Sequence, residues 1–301
     1  MTGSAKLIPY GDTGNNLSPA WAADGQEIAF IADSFLGRGS ARVVVLPMDG
    51  RRAREYRFPE GVLYPLVNLR WMPDGSGLSL TAASRQGRRV LVRLRLPEEE
   101  WEISPLPENF RDYSFEWGPD SGRFFYAWIS DDMKASRLVE HVLETGEDRV
   151  LYAVEEGGLR GTRLSPDGRT LAFYHDGGIW LFSLETAAAR RVAPEWNVDR
   201  RPTWSPDGRY LSFVGSQGEG GFAICILELA TGTVRQLELD ASQLFSRTMG
   251  SITRKANFYG TFWSPATDEI AFIIQAIESK RMIMADPLET LEGGTTSAPG
   301  R

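Results

Sequence analysis

The sequence predicts an all-β fold: a six-bladed β-propeller of four-stranded antiparallel blades, closed by an N-terminal strand that completes the last blade. Three observations carry that expectation. The unit Trp204-Ser205-Pro206-Asp207-Gly208 joins an aromatic anchor to a tight turn, because Pro206 fixes φ and Asp-Gly tolerates the left-handed backbone of a short hairpin. Variants of the unit begin at Trp21, Trp71, Trp117, Leu164, Trp204 and Trp263, at intervals of 50, 46, 47, 40 and 59 residues. Behind each turn follows a β-rich run, from Ile28-Ala29-Phe30-Ile31 in the first copy to Ile270-Ala271-Phe272-Ile273 in the last. A strand-patterned repeat of about 40–50 residues is the mark of a propeller blade.

Each blade begins with an inner strand leading into the anchor, continues past the turn with a second strand, and ends in an outer hairpin. The first blade reads as strands 17–21, 28–32, 42–47 and 54–58, turning at Met48-Asp49-Gly50. The second reads as 67–71, 78–82, 89–96 and 101–106, and the third as 113–117, 124–129, 136–143 and 149–153, turning at Glu144-Thr145-Gly146. The fourth reads as 161–164, 170–174, 178–183 and 189–193, and the fifth as 202–204, 210–214, 222–229 and 234–239, turning at Ala230-Thr231-Gly232. The sixth has only 259–263, 269–274 and 281–285. Ala5-Lys6-Leu7-Ile8-Pro9 is a strand without a blade, so it is expected to pair with the last one and cover an edge that would otherwise invite aggregation. Residues 1–286 then form a single domain, and the small, polar 287–301 stretch reads as a flexible tail.

The Trp-Ser-Pro-Asp-Gly unit followed by an Ile-Ala-Phe-like strand resembles the WD40-like repeat of TolB-type six-bladed propellers, over about residues 5–286. Two copies depart from the pattern: Leu164 stands where Trp is expected, and Ala266-Thr267-Asp268 where Asp-Gly is expected. TolB proteins are periplasmic, with a leader and an extra N-terminal α/β domain. Neither is read in these residues, so a cell-envelope role is not carried over. The stretch from Met1 to Pro9 has no apolar leader core, and no run of 18 or more apolar residues occurs. A cytoplasmic location is expected for the sequence as given, and a periplasmic one if a leader has been removed.

The 301 residues carry a net charge of −7, which gives no global attraction to nucleic acid or to an anionic membrane. A soluble monomer is expected. Cys225 is the sole cysteine, so no intramolecular disulfide forms, and its apolar strand makes it a core thiol rather than a nucleophile. The two histidines, His141 and His175, have no metal-ligand spacing around them, so no metal and no cofactor are expected. Lyases of acidic sugars built on propellers place several histidines in the channel, which this chain lacks. No Gly-x-Ser-x-Gly elbow occurs, and the glycine-rich 218–221 stretch lies between strands rather than opening a helix. Prolyl-oligopeptidase relatives use a similar propeller to screen a hydrolase domain, for which these residues leave no room.

Two regions stand out as candidate sites. The starts of the inner strands lie near one mouth of the central channel and carry Asn68, Arg70, Tyr113, Glu116, Arg160, Arg163, Arg200, Arg201 and Tyr259. Converging arginines hold carboxylate or phosphate in a bidentate grip, so a small anionic ligand is one reading; salt bridges with Glu116 or Asp199 are the other. The long interval before Trp263 implies an insertion around 240–258 with Phe245, Arg247, Arg254, Lys255 and Phe258. Mixed apolar and basic residues on a loop held by a rigid scaffold suit a protein or peptide partner, and equally suit a plug over the channel. A non-enzymatic binding scaffold is the leading expectation; an anion sensor or carrier, and an accessory propeller of a hydrolase or sugar-acting enzyme, are the alternatives.

Overall fold

The computed structural model describes residues 5–7, 15–33, 41–108, 110–132, 134–198, 201–217, 223–237, 257–266, 269–275 and 280–285. They form an all-β propeller with four-stranded antiparallel blades. After β1 (Ala5–Leu7), one sheet runs β2 (Asn15–Trp21), β3 (Glu27–Asp33), β4 (Arg42–Pro47) and β5 (Arg54–Arg57). The next runs β6 (Leu63–Trp71), β7 (Gly77–Ala83), β8 (Arg89–Arg95) and β9 (Glu100–Pro105). A third runs β10 (Phe110–Trp117), β11 (Arg123–Ile129), β12 (Ser136–Val142) and β13 (Asp148–Val154), and a fourth β14 (Arg160–Leu164), β15 (Thr170–His175), β16 (Gly178–Ser183) and β17 (Ala189–Val192).

The following sheet differs from expectation. Its inner strand is divided into β18 (Asn197–Val198) and β19 (Thr203–Trp204), both paired with β20 (Tyr210–Ser216), and β21 (Ala223–Glu228) and β22 (Val234–Gln236) complete it. The sequence marks only the part at the anchor, because Asn197-Val198 is too short to show an alternating pattern. The last sheet joins β23 (Asn257–Trp263), β24 (Ile270–Gln275) and β25 (Lys280–Ala285) to β1, with Ala5 opposite Ala285 and Leu7 opposite Ile283.

The apolar core lies between sheets rather than at the centre. Ala29, Ile31, Val43 and Val45 pack on Leu69, Leu78, Leu80 and Val92 of the neighbouring sheet. Ala172, Ile179 and Leu181 pack on Leu211, Phe213, Cys225 and Leu227. Ile28, Phe30 and Val44 pack on Ala271, which links the β2 sheet to the β24 sheet. The β2–β5 blade therefore buries both faces, which is why its second strand reads as a near-continuous apolar run.

The repeat unit works through hydrogen bonds that the motif itself supplies. The carboxylate of Asp167 accepts from Arg169 N at 3.0 Å and from Ser165 Oγ at 2.5 Å, while Ser165 Oγ accepts from Thr170 N at 2.9 Å. Asp207, Ser205 and Tyr210 repeat the arrangement. The indole of the anchor then reaches the preceding blade. Trp71 Nε1 donates to Ala20 O at 3.1 Å, Trp204 Nε1 to Arg163 O at 3.1 Å, and Trp21 Nε1 to Phe262 O at 3.3 Å, across 241 residues of sequence. Trp117 departs, donating to Ser79 Oγ at 2.8 Å. Gly25, at φ +68°, lies against Ala266, so the degenerate last turn packs directly on the first.

Candidate functional site

The inner strands are bulged just before the anchor. Register shifts interrupt the pairing of β2, β6, β10, β14 and β23 with their neighbours. Ser18, Asn68 and Gly161 each stand three residues before the anchor position, with φ of 50°, 59° and 70°. A bulge re-aims the residues beside it. The residue immediately before the anchor is Ala20, Arg70, Glu116, Arg163, Thr203 or Phe262, so equivalent positions put three charges on three consecutive inner strands.

Those three charges meet. Glu116 Oε2 lies 3.7 Å from Arg70 Nε and 3.7 Å from Arg163 Nη1, so one carboxylate is shared by two guanidinium groups without closing a short bond to either. The side chains are 13%, 17% and 10% exposed for Arg70, Glu116 and Arg163, which places the cluster well inside the molecule. Arg70 Nη1 donates to Leu69 O at 3.1 Å and Arg163 Nη1 to Thr162 O at 2.8 Å. Arg70 Nε and Nη2 are buried and have no hydrogen-bond acceptor among the described residues. Burial pulls the Arg70 guanidinium below its ordinary pKa; Glu116 opposes that shift and Arg201 reinforces it. Arg201 thus acts electrostatically on the same group. Its side chain lies over Gly161, where a methyl group would collide with it, and Gly161 itself has φ +70°.

Other predicted residues are placed differently. Asn68 is buried and ties its blade to both neighbours, its Nδ2 donating to Phe115 O at 2.9 Å and its backbone N–H to Ser18 Oγ at 3.2 Å. Arg160 is exposed on β14 and folds back over Gly158. Tyr113 lies on β10, and Phe258 and Tyr259 on β23. Arg200, Phe245, Arg247, Arg254 and Lys255 lie outside the described residues. The structure also adds a polar contact that pattern reading missed: Thr203 Oγ1 donates to Thr261 O at 2.7 Å, and Ser212 Oγ and Thr261 Oγ1 are 2.6 Å apart. Its only trace in the sequence is a hydroxyl residue near two anchors.

Other chemistry has less to work with. Cys225 is fully buried, and burial pushes its thiol up to about 12, which removes the thiolate a nucleophile needs. His141 Nδ1 lies 2.8 Å from Asp148 Oδ1 on the outer hairpin of its blade, and His175 ends β15. No group of three or more metal-ligating side chains gathers among the described residues. Among them too, no helix is long and apolar enough to cross a membrane.

No family model matches the chain. A curated relative, the Protein TolB homolog of Chlorobium luteolum, is 33% identical over 92 residues; the match covers 29% of this chain and 21% of that protein. TolB from Acinetobacter baumannii superposes with a TM-score of 0.66 at 14% identity, over 88% of this chain and 64% of its own. Oligogalacturonate lyase from Vibrio parahaemolyticus gives a TM-score of 0.61 at 14% identity, over 96% of this chain and 98% of its own. At these identities the two structures speak to the fold alone. The four-stranded blades make this chain a β-propeller, and the matched stretch of the Chlorobium protein together with the recurring anchor-turn-strand unit makes it similar to TolB-type propellers.

Proposed function

We propose that the chain is a non-enzymatic binding propeller that engages a protein or peptide partner through a carboxylate held at the channel arginines. One observation carries the reading: Arg70 and Arg163 share Glu116 at 3.7 Å each, with Arg201 acting on the same group. Arg70 and Arg163 flank Glu116, and Arg201 adds to the positive field at Arg70. Arg70 Nε and Nη2 are buried without an acceptor, and buried guanidinium donors left unbonded are costly until an oxygen ligand satisfies them. A carboxylate fits the forked donor geometry of guanidinium groups.

The ring around the cluster is read as six-bladed. The sheet of β23, β24 and β25 with β1 supplies the sixth blade, and Trp21 to Phe262 with Gly25 against Ala266 joins it to the first. Residues 1–286 are one domain in this account, with 287–301 a tail, and the segment bearing Phe245, Arg247, Arg254, Lys255 and Phe258 adds a second contact for the partner. A small anionic ligand at the same arginines is the alternative, favoured by how deeply the cluster sits.

The test is fluorescence anisotropy with a labelled glutamate-rich hexapeptide, competed with free glutarate. Saturable binding that falls about tenfold or more in Arg163→Ala and Arg201→Ala supports the proposal, since tenfold is about 1.4 kcal/mol. Equal competition by glutarate at matched carboxylate concentration favours the small-ligand form. Binding unaffected by either substitution removes the channel from the account.

A further inference from the structure

The clefts between neighbouring blades, on the side of the anchor turns, are not alike. In the β2–β5 sheet, Arg54 Nη2 donates to both oxygens of Glu27 at 2.7 Å. In the β6–β9 sheet, Arg93 Nη2 donates to Glu102 at 2.6 Å. In the β10–β13 sheet, Glu140 accepts from Arg123 at 3.2 Å and from Arg149 at 2.9 Å. Register relates these groups, because Arg54 stands opposite Val45, Glu102 opposite Arg93, and Arg149 opposite Glu140. Three consecutive blades thus carry an internal ion pair that includes the fourth-strand residue at this position: Arg54 with Glu27 of the second strand, Glu102 with Arg93 of the third, and Arg149 with Glu140 of the third.

The next blade keeps the cation and lacks the anion. Arg190 stands opposite Leu181, where the preceding blade has Glu140, and Thr170 occupies the place of Glu27 at the start of the second strand. Arg190 has no carboxylate partner among the described residues. The side chains left there are short, and a cleft of about 480 Å³ opens, with Arg190, Thr170, Ser183, Leu181 and Trp204 in its wall. Trp204 is held in place by its Nε1 bond to Arg163 O. Asp167 and Asp207 stand on the rim, each with Oδ1 engaged by its own turn.

We infer that this cleft is a binding site for a small monocarboxylate with a compact apolar body. The ligand's carboxylate supplies to Arg190 the anion that Glu27, Glu102 and Glu140 supply in the other blades. Its body lies against Trp204 and Leu181, and Thr170 and Ser183 offer hydroxyl hydrogen bonds. The rim aspartates repel a second negative charge, which selects a monoanion over phosphate or a dicarboxylate. The volume lies within the roughly 300–1,000 Å³ usual for small-molecule sites. The site is separate from the channel cluster and does not depend on its assignment.

Benzoate titrated into the full chain and followed by NMR chemical-shift perturbation tests the inference, with benzyl alcohol and inorganic phosphate as controls. Benzoate is expected to saturate, with shifts at the Trp204 indole, and to bind at least tenfold more tightly than either control. Arg190→Ala should abolish saturation. Thr170→Glu, which installs the pairing that Glu27 makes with Arg54, should abolish it as well, with thermal unfolding confirming that both variants fold. Glu102→Gln, in a different blade, should leave benzoate binding unchanged. The inference fails if benzoate does not saturate, if benzyl alcohol binds equally well, or if binding survives both Arg190→Ala and Thr170→Glu.

Discussion

At the scale of single residues, backbone conformation and short-range hydrogen bonds explain most of what the sequence repeats. Three outer hairpins turn on Gly50, Gly146 and Gly232, all at positive φ, but that of the second blade uses Glu99 at φ 60° and that of the fourth Ala187 at φ 53°. An L-residue with a Cβ is strained in that region, and glycine is not. Ala187→Gly should therefore stabilise the fold by about 0.5–1 kcal/mol, measured by urea denaturation. The turn aspartates give a pH prediction. The Ser165 hydroxyl and the Arg169 N–H hold the Asp167 carboxyl below its ordinary value of 3.8. A depressed folded-state pKa contributes stability that is present above the unfolded value and lost as pH falls through the folded one. Stability should decline below about pH 3.8, and Asp167→Asn should flatten that acid limb while lowering stability at neutral pH.

At the scale of elements, the anchor tryptophan is a bolt between blades as well as a core side chain. Trp204→Phe removes the bond to Arg163 O, so a loss of about 1 kcal/mol is expected in chemical denaturation. The spacing of these anchors made the strands legible. Expected and observed strands agree closely in the β2–β5 sheet, where apolar alternation is bounded by turn residues on both sides. The division into β18 and β19 was not legible, because a two-residue strand has no period. The site was legible only as a set of positions. The same rule singles out Arg70, Glu116, Arg163 and Arg160 as starts of inner strands, yet Arg160 is exposed. The bulge before each anchor decides which residue faces inward, and its trace is faint: Ser18, Asn68 and Gly161 are residue types that tolerate positive φ. Arg190, without a carboxylate partner among the described residues, stands out only once register aligns the outer hairpins, since sequence spacing alone does not match it to Glu102.

At the scale of the whole molecule, the ring is held by contacts that bring the two ends of the chain together. β1 covers β25, Trp21 reaches Phe262, and Ala266 rests on Gly25. Removing residues 1–8 should expose the β25 edge, lowering Tm by about 5 °C or more and promoting aggregation, as read by scanning calorimetry and light scattering. The same ring sets the inner strands side by side, so that charges from three blades meet at Glu116. In this account Glu116 has two opposed effects: it neutralises buried guanidinium groups and competes with an incoming carboxylate. The most direct test is Glu116→Gln, measured for stability and for hexapeptide affinity together. The account predicts a loss of stability of about 1–3 kcal/mol with affinity raised about tenfold. A variant that loses stability and affinity together, or changes neither, would contradict the assignment of the channel arginines to carboxylate capture.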